Sequence, residues 1–241
     1  MGRAAKGMRG FWDDAAKRNA AFYVDTTVAF DAPDMDAFFE TGRKIVDHAY
    51  GDSPVKPSGH DLAVEIGGGL GRNCVALAEH FKRVVGVDIS PEMIRQANEL
   101  VHDDRVEFVL GEGADLSAVA SGSADFVMSF TVFQHIPEVG VIQSYLREAG
   151  RVLRPGGVAA FQWNNQSSEL KWRIRRAVLA TLQRLHLTRD SHARNAVQFL
   201  GTTVDLPHIE STLNEAGMDL LKTEGGGTLF CWAWAVKRGQ A

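Results

Sequence analysis

A glycine-rich run between two apolar segments is the part of this chain best suited to bind a polar ligand. One apolar segment ends at Glu65, the glycines Gly67, Gly69 and Gly71 follow, and a second apolar segment ends at Asp88. Glycine at alternate positions admits positive φ and lets a ligand approach the main chain, because no Cβ is in the way. We therefore expect a side chain at Gly69 to collide with the ligand.

Asp88 lies where a carboxylate can accept hydrogen bonds from both hydroxyls of a ribose. Charge-assisted bonds of this kind are worth roughly 1.5 to 3 kcal/mol. The same arrangement serves several nucleoside cofactors. A dinucleotide fingerprint reads G-x-G-x-x-G, whereas Arg72 occupies the place of its third glycine. A nicotinamide-dependent oxidoreductase remains an alternative, and this arginine disfavours it.

The elements that position these residues alternate between strand and helix. Apolar runs predict strands at 61–66, 83–88, 105–110, 124–130 and 157–163. Helical stretches between them indicate βαβ units and a parallel sheet, which binds ligands at the carboxyl ends of its strands. After residue 204 the pattern predicts a helix to Ala216 and a close pair of strands, near 219–224 and 228–236, that should be antiparallel.

Several motifs of the chain resemble those of class I S-adenosylmethionine-dependent methyltransferases. The first is the frame E-x-G-x-G-x-G that begins at Glu65. Ser90 and Pro91, an N-cap and a first helical residue, resemble the segment D-x-S-P-x-M of that family. Three more matches are the loop 111–116, the loop 133–137 and the stretch 151–157. The resemblance covers about residues 60–163 and implies a Rossmann-like, doubly wound, seven-stranded α/β sheet, mostly parallel, closed by a C-terminal antiparallel hairpin.

The resemblance also implies S-adenosylmethionine as the cofactor and a set of residues that contact it. These are Trp12, Tyr23, Glu65, Gly67, Gly69, Gly71, Asp88, Ile89, Met93, Glu112, Gly113, Ser129 and Phe130. Glu112 stands where the family commonly has Asp or Asn. Trp12 and Tyr23 either pack an amino-terminal helix or cover the methionine end of the cofactor. Arg43 is a weaker candidate for the cofactor carboxylate, and a solvated surface arginine is the preferred interpretation.

His135 is the candidate catalytic residue. A neutral imidazole near the carboxyl edge of the sheet can act as the general base that removes a proton from a substrate hydroxyl or amine. The family counterpart often shapes the loop without acid–base chemistry, so both interpretations stay open. Methyl transfer itself needs little more than a nucleophile held in line with the methyl group and the exclusion of water.

The acceptor is expected to be a small molecule, with oxygen favoured over nitrogen or carbon. Ser129-Phe130-Thr131-Val132 does not match the Asn/Asp-Pro-Pro-aromatic motif of nucleic-acid base methyltransferases. Metal-assisted relatives carry acids after the fourth and fifth strands, where this chain has Ser129-Phe130 and Trp163-Asn164-Asn165, so no metal is expected. The amides of Asn164 and Asn165 are candidates to orient substrate directly. A cofactor-binding protein without turnover is a further alternative.

Composition sets the domain organisation. The 241 residues suit one full-sized domain, and a net charge of −4 provides no general attraction to nucleic acid or acidic membranes. The two cysteines and the absence of an apolar leader or membrane-spanning run favour a cytoplasmic enzyme. We expect an amino-terminal helical lid segment over 1–58 and the methyltransferase core over 59–241.

A helical cap is expected at about 165–203, inserted in the core. Apolar residues at helical spacing form one face of it: Leu170, Ile174, Val178, Leu182 and Leu185. Lysine and arginine occupy its other faces, so the cap would select either an acidic or a hydrophobic acceptor. A solvated basic helix is the alternative interpretation.

Overall fold

Seven strands form one sheet in the computed structural model, which describes residues 3–166, 178, 181 and 197–239. In chain order they are β1 (Leu62–Ile66), β2 (Arg83–Asp88), β3 (Val106–Leu110), β4 (Ala124–Ser129), β5 (Leu153–Trp163), β6 (Met218–Glu224) and β7 (Cys231–Lys237). The order across the sheet is β3-β2-β1-β4-β5-β7-β6. The first five strands are parallel, and β7 is antiparallel to both β5 and β6. The predicted sheet and its closing hairpin are therefore confirmed.

The fifth strand begins earlier than the sequence predicts. Leu153 already pairs with Ala124, whereas Phe126 pairs with Val158, so the register shifts between the two pairs. Gly156 takes a φ of 76° inside this irregularity. The proline and glycines at 155–157 look like a helix end in sequence, but the structure places them in a bulge of β5 because the sheet continues on both sides.

Two helices precede the sheet, α1 (Arg3–Val24) and α2 (Met35–Val46), and a π-helical turn (Asp47–Gly51) extends α2. Asn19 interrupts α1 with an extended φ of −172°. Its Oδ1 accepts a hydrogen bond from the amide of Phe22 at 3.0 Å, so this side chain caps the second part of the helix. The amino-terminal portion is helical, as the sequence predicts.

The remaining helices are α3 (Arg72–Leu77), α4 (Pro91–Leu100), α5 (Val139–Val152), α6 (Val197–Leu200) and α7 (Leu206–Glu215), with a 3-10 turn at Phe133–His135. Ser90 caps α4 through a 3.1 Å bond from the Met93 amide, and Pro91 takes the first helical position, as predicted.

Successive side chains of β1 point to opposite faces of the sheet and pack into two separate buried clusters. Val64 and Ile66 belong to a buried cluster with residues of α5 and α7, whereas Ala63 belongs to a second cluster that includes residues of α3. Helices therefore cover both faces of the sheet and leave the carboxyl ends of its parallel strands for a site.

Most of the segment in which we expect a helical cap lies outside the described residues, including Leu170, Ile174, Leu182 and Leu185. Val178 is described and half-exposed.

Candidate functional site

The carboxyl ends of β1, β2 and β4 meet where the strand order reverses, between β1 and β4. Such a reversal opens a crevice in a doubly wound sheet. The structure has a cavity here, termed the first cavity. It brings together ten of the residues that the sequence singles out, namely Trp12, Tyr23, Glu65, Gly67, Gly69, Asp88, Ile89, Met93, Phe130 and His135.

The glycine loop follows β1 and forms the floor of the first cavity. Gly67 has a φ of 79°, and a Cβ there would lie 2.1 Å from Val132 Cγ2, so only glycine fits. Gly69 has a φ of 52°, and its nearest neighbour is Val24 of α1, whose Cγ2 would lie 3.0 Å from an added Cβ. A side chain at Gly69 would therefore meet α1 as well as any ligand beneath it.

Asp88 closes β2 and is held by the main chain. Its Oδ2 accepts from the Gly69 amide and its Oδ1 from the Ser90 amide, each at 2.9 Å. Burial raises the pKa of this carboxyl, and the backbone hydrogen bonds oppose that rise. Each carboxylate oxygen has a further lone pair that can accept a hydrogen bond from a ligand hydroxyl. The two amides fix the orientation of the carboxylate.

Glu65 is buried at the back of the first cavity. Its Oε1 accepts from Asn73 Nδ2 at 2.6 Å, and its Oε2 accepts from the Cys74 thiol at 2.9 Å. Burial raises the pKa of Glu65 to about 7, against the lowering effect of these two bonds. The bond to Glu65 also fixes the Asn73 amide, because only its nitrogen can donate. Asn73 Oδ1 is consequently left buried without a partner.

Arg72 follows the glycine loop and is buried beside the first cavity. Its guanidinium forms an ion pair with Asp25, and Nη1 also donates to Thr41 Oγ1 at 2.7 Å. Its Nε is buried without a partner in the described structure. Burial lowers the pKa of Arg72, whereas the charge of Asp25 opposes that change. The first cavity is therefore bordered by one orphaned acceptor, on Asn73, and one orphaned donor, on Arg72.

Helix α1 covers the opening of the first cavity and is tied down by polar contacts. Arg9 donates to the carbonyls of Ile89 at 3.1 Å and Gly111 at 2.8 Å. Asp13 Oδ1 accepts from Ser90 Oγ at 3.2 Å and from the Glu92 amide at 2.9 Å. These bonds join α1 to the loop after β2 and the first turn of α4. The ring of Trp12 consequently reaches the cavity wall.

A chain of side-chain hydrogen bonds sets the protonation of His135. The Thr131 amide donates to Gln162 Oε1 at 2.8 Å, and Gln162 Nε2 donates to Gln134 Oε1 at 3.0 Å. Gln134 Nε2 is left to face His135 Nε2 at 3.2 Å, while His135 Nδ1 bonds the carbonyl of Phe199. Because a carbonyl only accepts, Nδ1 carries the proton and Nε2 presents its lone pair.

Burial lowers the pKa of His135 to about 4, so this imidazole is neutral near pH 7. Trp12 packs edge-on against its ring with centroids 5.3 Å apart. Thr131, four residues before His135, has a φ of 54°, which is unusual for a residue with a branched side chain. A strained residue beside a cavity, held by the amide chain, is typical of functional sites.

A second cavity, of about 630 Å³, adjoins the first. The two share a wall made of Tyr23, Val24, Arg72, Phe130, Thr131 and His135. The rest of its lining combines aromatic and aliphatic side chains, notably Phe199, Leu229 and Phe230, with eight polar or charged residues. A molecule in either cavity would therefore contact His135.

A family model described as a methyltransferase domain matches residues 64–161. Residues 64–161 thus match a methyltransferase domain, and the fold is that of class I S-adenosylmethionine-dependent methyltransferases. It is 38% identical over 106 residues to an arsenite methyltransferase of Halobacterium salinarum, covering 42% of this chain and 26% of that protein. It is 36% identical over 116 residues to a trans-aconitate 2-methyltransferase of Azoarcus sp., covering 47% and 43%. The chain thus spans less than half the length of these curated relatives.

The crystal structure of magnesium protoporphyrin IX methyltransferase from Synechocystis PCC 6803 with bound SAH has the same fold. The TM-score is 0.65 at 18% identity, and the match covers 97% of this chain and 99% of the other. The acceptors in the names of these three methyltransferases differ. Similarity alone therefore does not select an acceptor for this chain.

The polar atoms of the first cavity that lack partners match the polar groups of the methyltransferase cofactor. The amino-acid end of S-adenosylmethionine carries an ammonium and a carboxylate, and the first cavity offers an acceptor on Asn73 and a donor on Arg72 for these groups. At the other end, the Asp88 carboxylate matches ribose hydroxyls, and Ile89 and Met93 supply apolar surface for a base. The sequence did not single out Asn73, and it treated Arg72 only as a departure from the dinucleotide motif.

Four predicted cofactor residues do not line the first cavity. Ser129 donates to the Ile66 carbonyl at 3.2 Å within the sheet, and Gly71 begins α3 against Phe108. Glu112 is exposed, 3.7 Å from Arg9 Nη2. A Cβ on Gly113 would lie 2.4 Å from Ile89 Cδ1, so this glycine serves packing. Motif position alone could not separate such support from ligand contact.

The contacts of three other candidate residues show where their side chains lie. Arg43 pairs with Glu40 and Glu79 at the surface, at 3.1 and 3.0 Å, which favours the surface interpretation. Asn165 bonds the Val204 carbonyl and the Gly227 amide, each at 2.9 Å, whereas Asn164 lines the second cavity.

In the part of the chain that the structure describes, no three His, Cys, Asp or Glu side chains come together as a metal site would require. None of the described helices has the length and apolar character needed to cross a membrane.

Proposed function

We propose that this protein transfers a methyl group from S-adenosylmethionine to a hydroxyl oxygen of a small molecule bound in the second cavity. The observation that carries the proposal is the placement of His135, which lines both cavities and presents an unprotonated Nε2. Oxygen nucleophiles gain most from such a group, because a hydroxyl carries a proton that must leave during transfer.

S-adenosylmethionine, when bound, supplies a sulfonium methyl group that the acceptor oxygen takes while the electron pair of the broken S–C bond stays on sulfur. Asp88 would hold the ribose, and Asn73 and Arg72 the amino-acid end. Helix α1 would act as a lid that excludes water, with Trp12 and Tyr23 on its inner side. The shared wall would hold the acceptor oxygen within roughly 3 to 3.5 Å of the methyl carbon.

His135 would accept the hydroxyl proton at Nε2, displacing the weak 3.2 Å contact with Gln134. A pKa of about 4 is sufficient for this role. The proton becomes strongly acidic as the O–C bond forms, so a weak base can take it late in the reaction. The amide chain through Gln162 keeps the proton on Nδ1 and the lone pair on Nε2.

Two further observations support a small-molecule acceptor, and a third supports a cytoplasmic location. The second cavity is in the size range of small-molecule sites, about 300 to 1,000 Å³. The net charge of −4 disfavours a nucleic-acid partner. Both described cysteines are free and buried, which suits a reducing cytoplasm.

The test combines a screen of acceptors that offer hydroxyl, amine or carbon nucleophiles, using methyl-labelled cofactor, with the variant His135→Ala. We expect turnover to fall by about two to four orders of magnitude while affinity for S-adenosylhomocysteine stays nearly unchanged, because a proton acceptor is used only in the transition state. His102→Ala, at an exposed histidine, is the matched control. Intact turnover per folded molecule in His135→Ala, or methylation confined to nitrogen or carbon acceptors, would contradict the proposal.

A further inference from the structure

The described charged side chains that line the second cavity include more positive than negative groups. They are Asp25, Lys44 and Arg72. Asp25 and Arg72 neutralise each other as an ion pair. Among the described residues, no carboxylate lies within ion-pair distance of Lys44, because Glu40, one helical turn before it, pairs with Arg43 at 3.1 Å. Among the residues that the structure describes, the second cavity therefore has one positive charge without an ion-pair partner, that of Lys44.

Helix α2 holds Lys44 at this cavity. Thr41, Lys44 and Ile45 all line it, and their spacing places them on one face of the helix. The backbone of α2 lies directly against the start of α3, since a Cβ on Gly42 would lie only 2.4 Å from the Arg72 carbonyl oxygen. That close backbone contact fixes the helix face from which the Lys44 ammonium extends.

Parallel aromatic rings form another wall of the second cavity. Phe130 stacks on Phe230 with centroids 6.4 Å apart and on Trp232 at 5.4 Å, with interplanar angles of 26° and 12°. Trp234 continues the stack beyond Trp232 at 5.8 Å. Phe230, at the end of this stack, is 49% exposed and lines the cavity. An exposed ring at the end of a stack is suited to bind a further planar ring.

We propose that the acceptor is a planar aromatic alcohol that carries an anionic group, with its ring against Phe130 and Phe230 and its anion paired with Lys44. The hydroxyl then faces His135 on the shared wall. This inference rests on the proposed function for the position of the hydroxyl, but its charge and ring components concern binding alone. Lys44 is exposed at the mouth of this cavity, so its ammonium favours an anionic group on the bound ring over a neutral or cationic one.

The test uses two fluorescent probes, 6-hydroxy-2-naphthoate and its neutral carboxamide, titrated by calorimetry into protein saturated with S-adenosylhomocysteine. We expect the wild-type protein to bind the acid up to about fivefold more tightly than the amide, as an ion pair with an exposed lysine allows. Lys44→Gln should remove this preference and Lys44→Arg should retain it. Lys82→Gln, which removes an exposed charge at the amino end of β2, should leave it unchanged.

Phe230→Ala separates ring stacking from charge. It should weaken both probes by a similar factor, about five- to tenfold, and preserve their ratio. Equal binding of acid and amide to the wild-type protein, a preference that survives Lys44→Gln, or failure of the acid to bind would overturn the inference. Binding with the predicted pattern but without methylation of any hydroxyl would instead contradict the proposed function and leave the recognition of anionic aromatics standing.

Discussion

Glu65, a candidate cofactor-binding residue, should make the stability of the ligand-free protein depend on pH. Burial raises its pKa to about 7, from an ordinary value of 4.5, although Asn73 and Cys74 both donate to it. A carboxyl whose pKa is raised by folding favours folding only while it is protonated. Its contribution is complete below pH 4.5 and is lost as the pH rises through 7.

We expect Glu65→Gln to remove this pH dependence. In the wild-type protein the free energy of unfolding should decline by up to about 3 kcal/mol between pH 4.5 and 7, relative to the variant. Urea unfolding at several pH values measures this difference. Glu107→Gln, at an exposed carboxylate, serves as the control. Parallel pH profiles for the wild-type protein and Glu65→Gln would show that Glu65 is ionised throughout.

The sequence identifies candidate residues whose position follows from the local strand and helix pattern. It does not identify residues whose contacts lie far away in the sequence. Asp88 and Glu65 stand at the ends of strands, so periodicity and motif place them correctly. Arg72 is defined by Asp25, which lies 47 positions earlier, and Lys44 matters because Glu40 is engaged elsewhere. Helical spacing allows the local pair of Glu40 and Arg43, but no spacing rule reports the contact of Arg72 with Asp25 or the place of Lys44 at the second cavity, which arise only in the folded chain.

At the level of elements, α1 connects the amino-terminal portion to the cofactor site. Periodicity predicts a helix there, but the position of that helix depends on side-chain contacts with α4 and the loop after β2. The two Asp13 bonds engage the first turn of α4, near the Asp88 carboxylate. If α1 is a lid, these bonds should slow the release of the cofactor product.

Asp13→Ala tests that role of α1. Loss of bonds worth roughly 1 kcal/mol should speed the release of S-adenosylhomocysteine about fivefold. Stopped-flow tryptophan fluorescence measures the release, because Trp12 lines the first cavity. Asp14→Ala, at the next residue and exposed, should leave the rate unchanged. An unaltered rate in a folded Asp13→Ala protein would mean that α1 is a fixed wall and not a lid.

At the level of the whole molecule, alternating strand and helix patterns were enough to predict the sheet and the edge at which the first cavity lies. The site at the reversal between β1 and β4 follows from that order. The second cavity was beyond prediction, because it is assembled from α1, α2, α6 and the loops after β4, β5 and β6. Its aromatic wall, the position of Lys44 on its lining and its contact with His135 exist only in the folded chain.

The central claim is that the first cavity holds S-adenosylmethionine through Asp88, and calorimetric titration tests it most directly. We expect S-adenosylmethionine and S-adenosylhomocysteine both to bind. Asp88→Ala should weaken each by roughly ten- to 150-fold, through the loss of ribose hydrogen bonds worth about 1.5 to 3 kcal/mol. Asp88→Asn, which keeps an acceptor oxygen for the Gly69 amide, separates ligand contact from loop stability, and Asp104→Ala is the exposed control. Tighter binding of a nicotinamide dinucleotide, or unchanged affinity in a folded Asp88→Ala protein, would contradict the account.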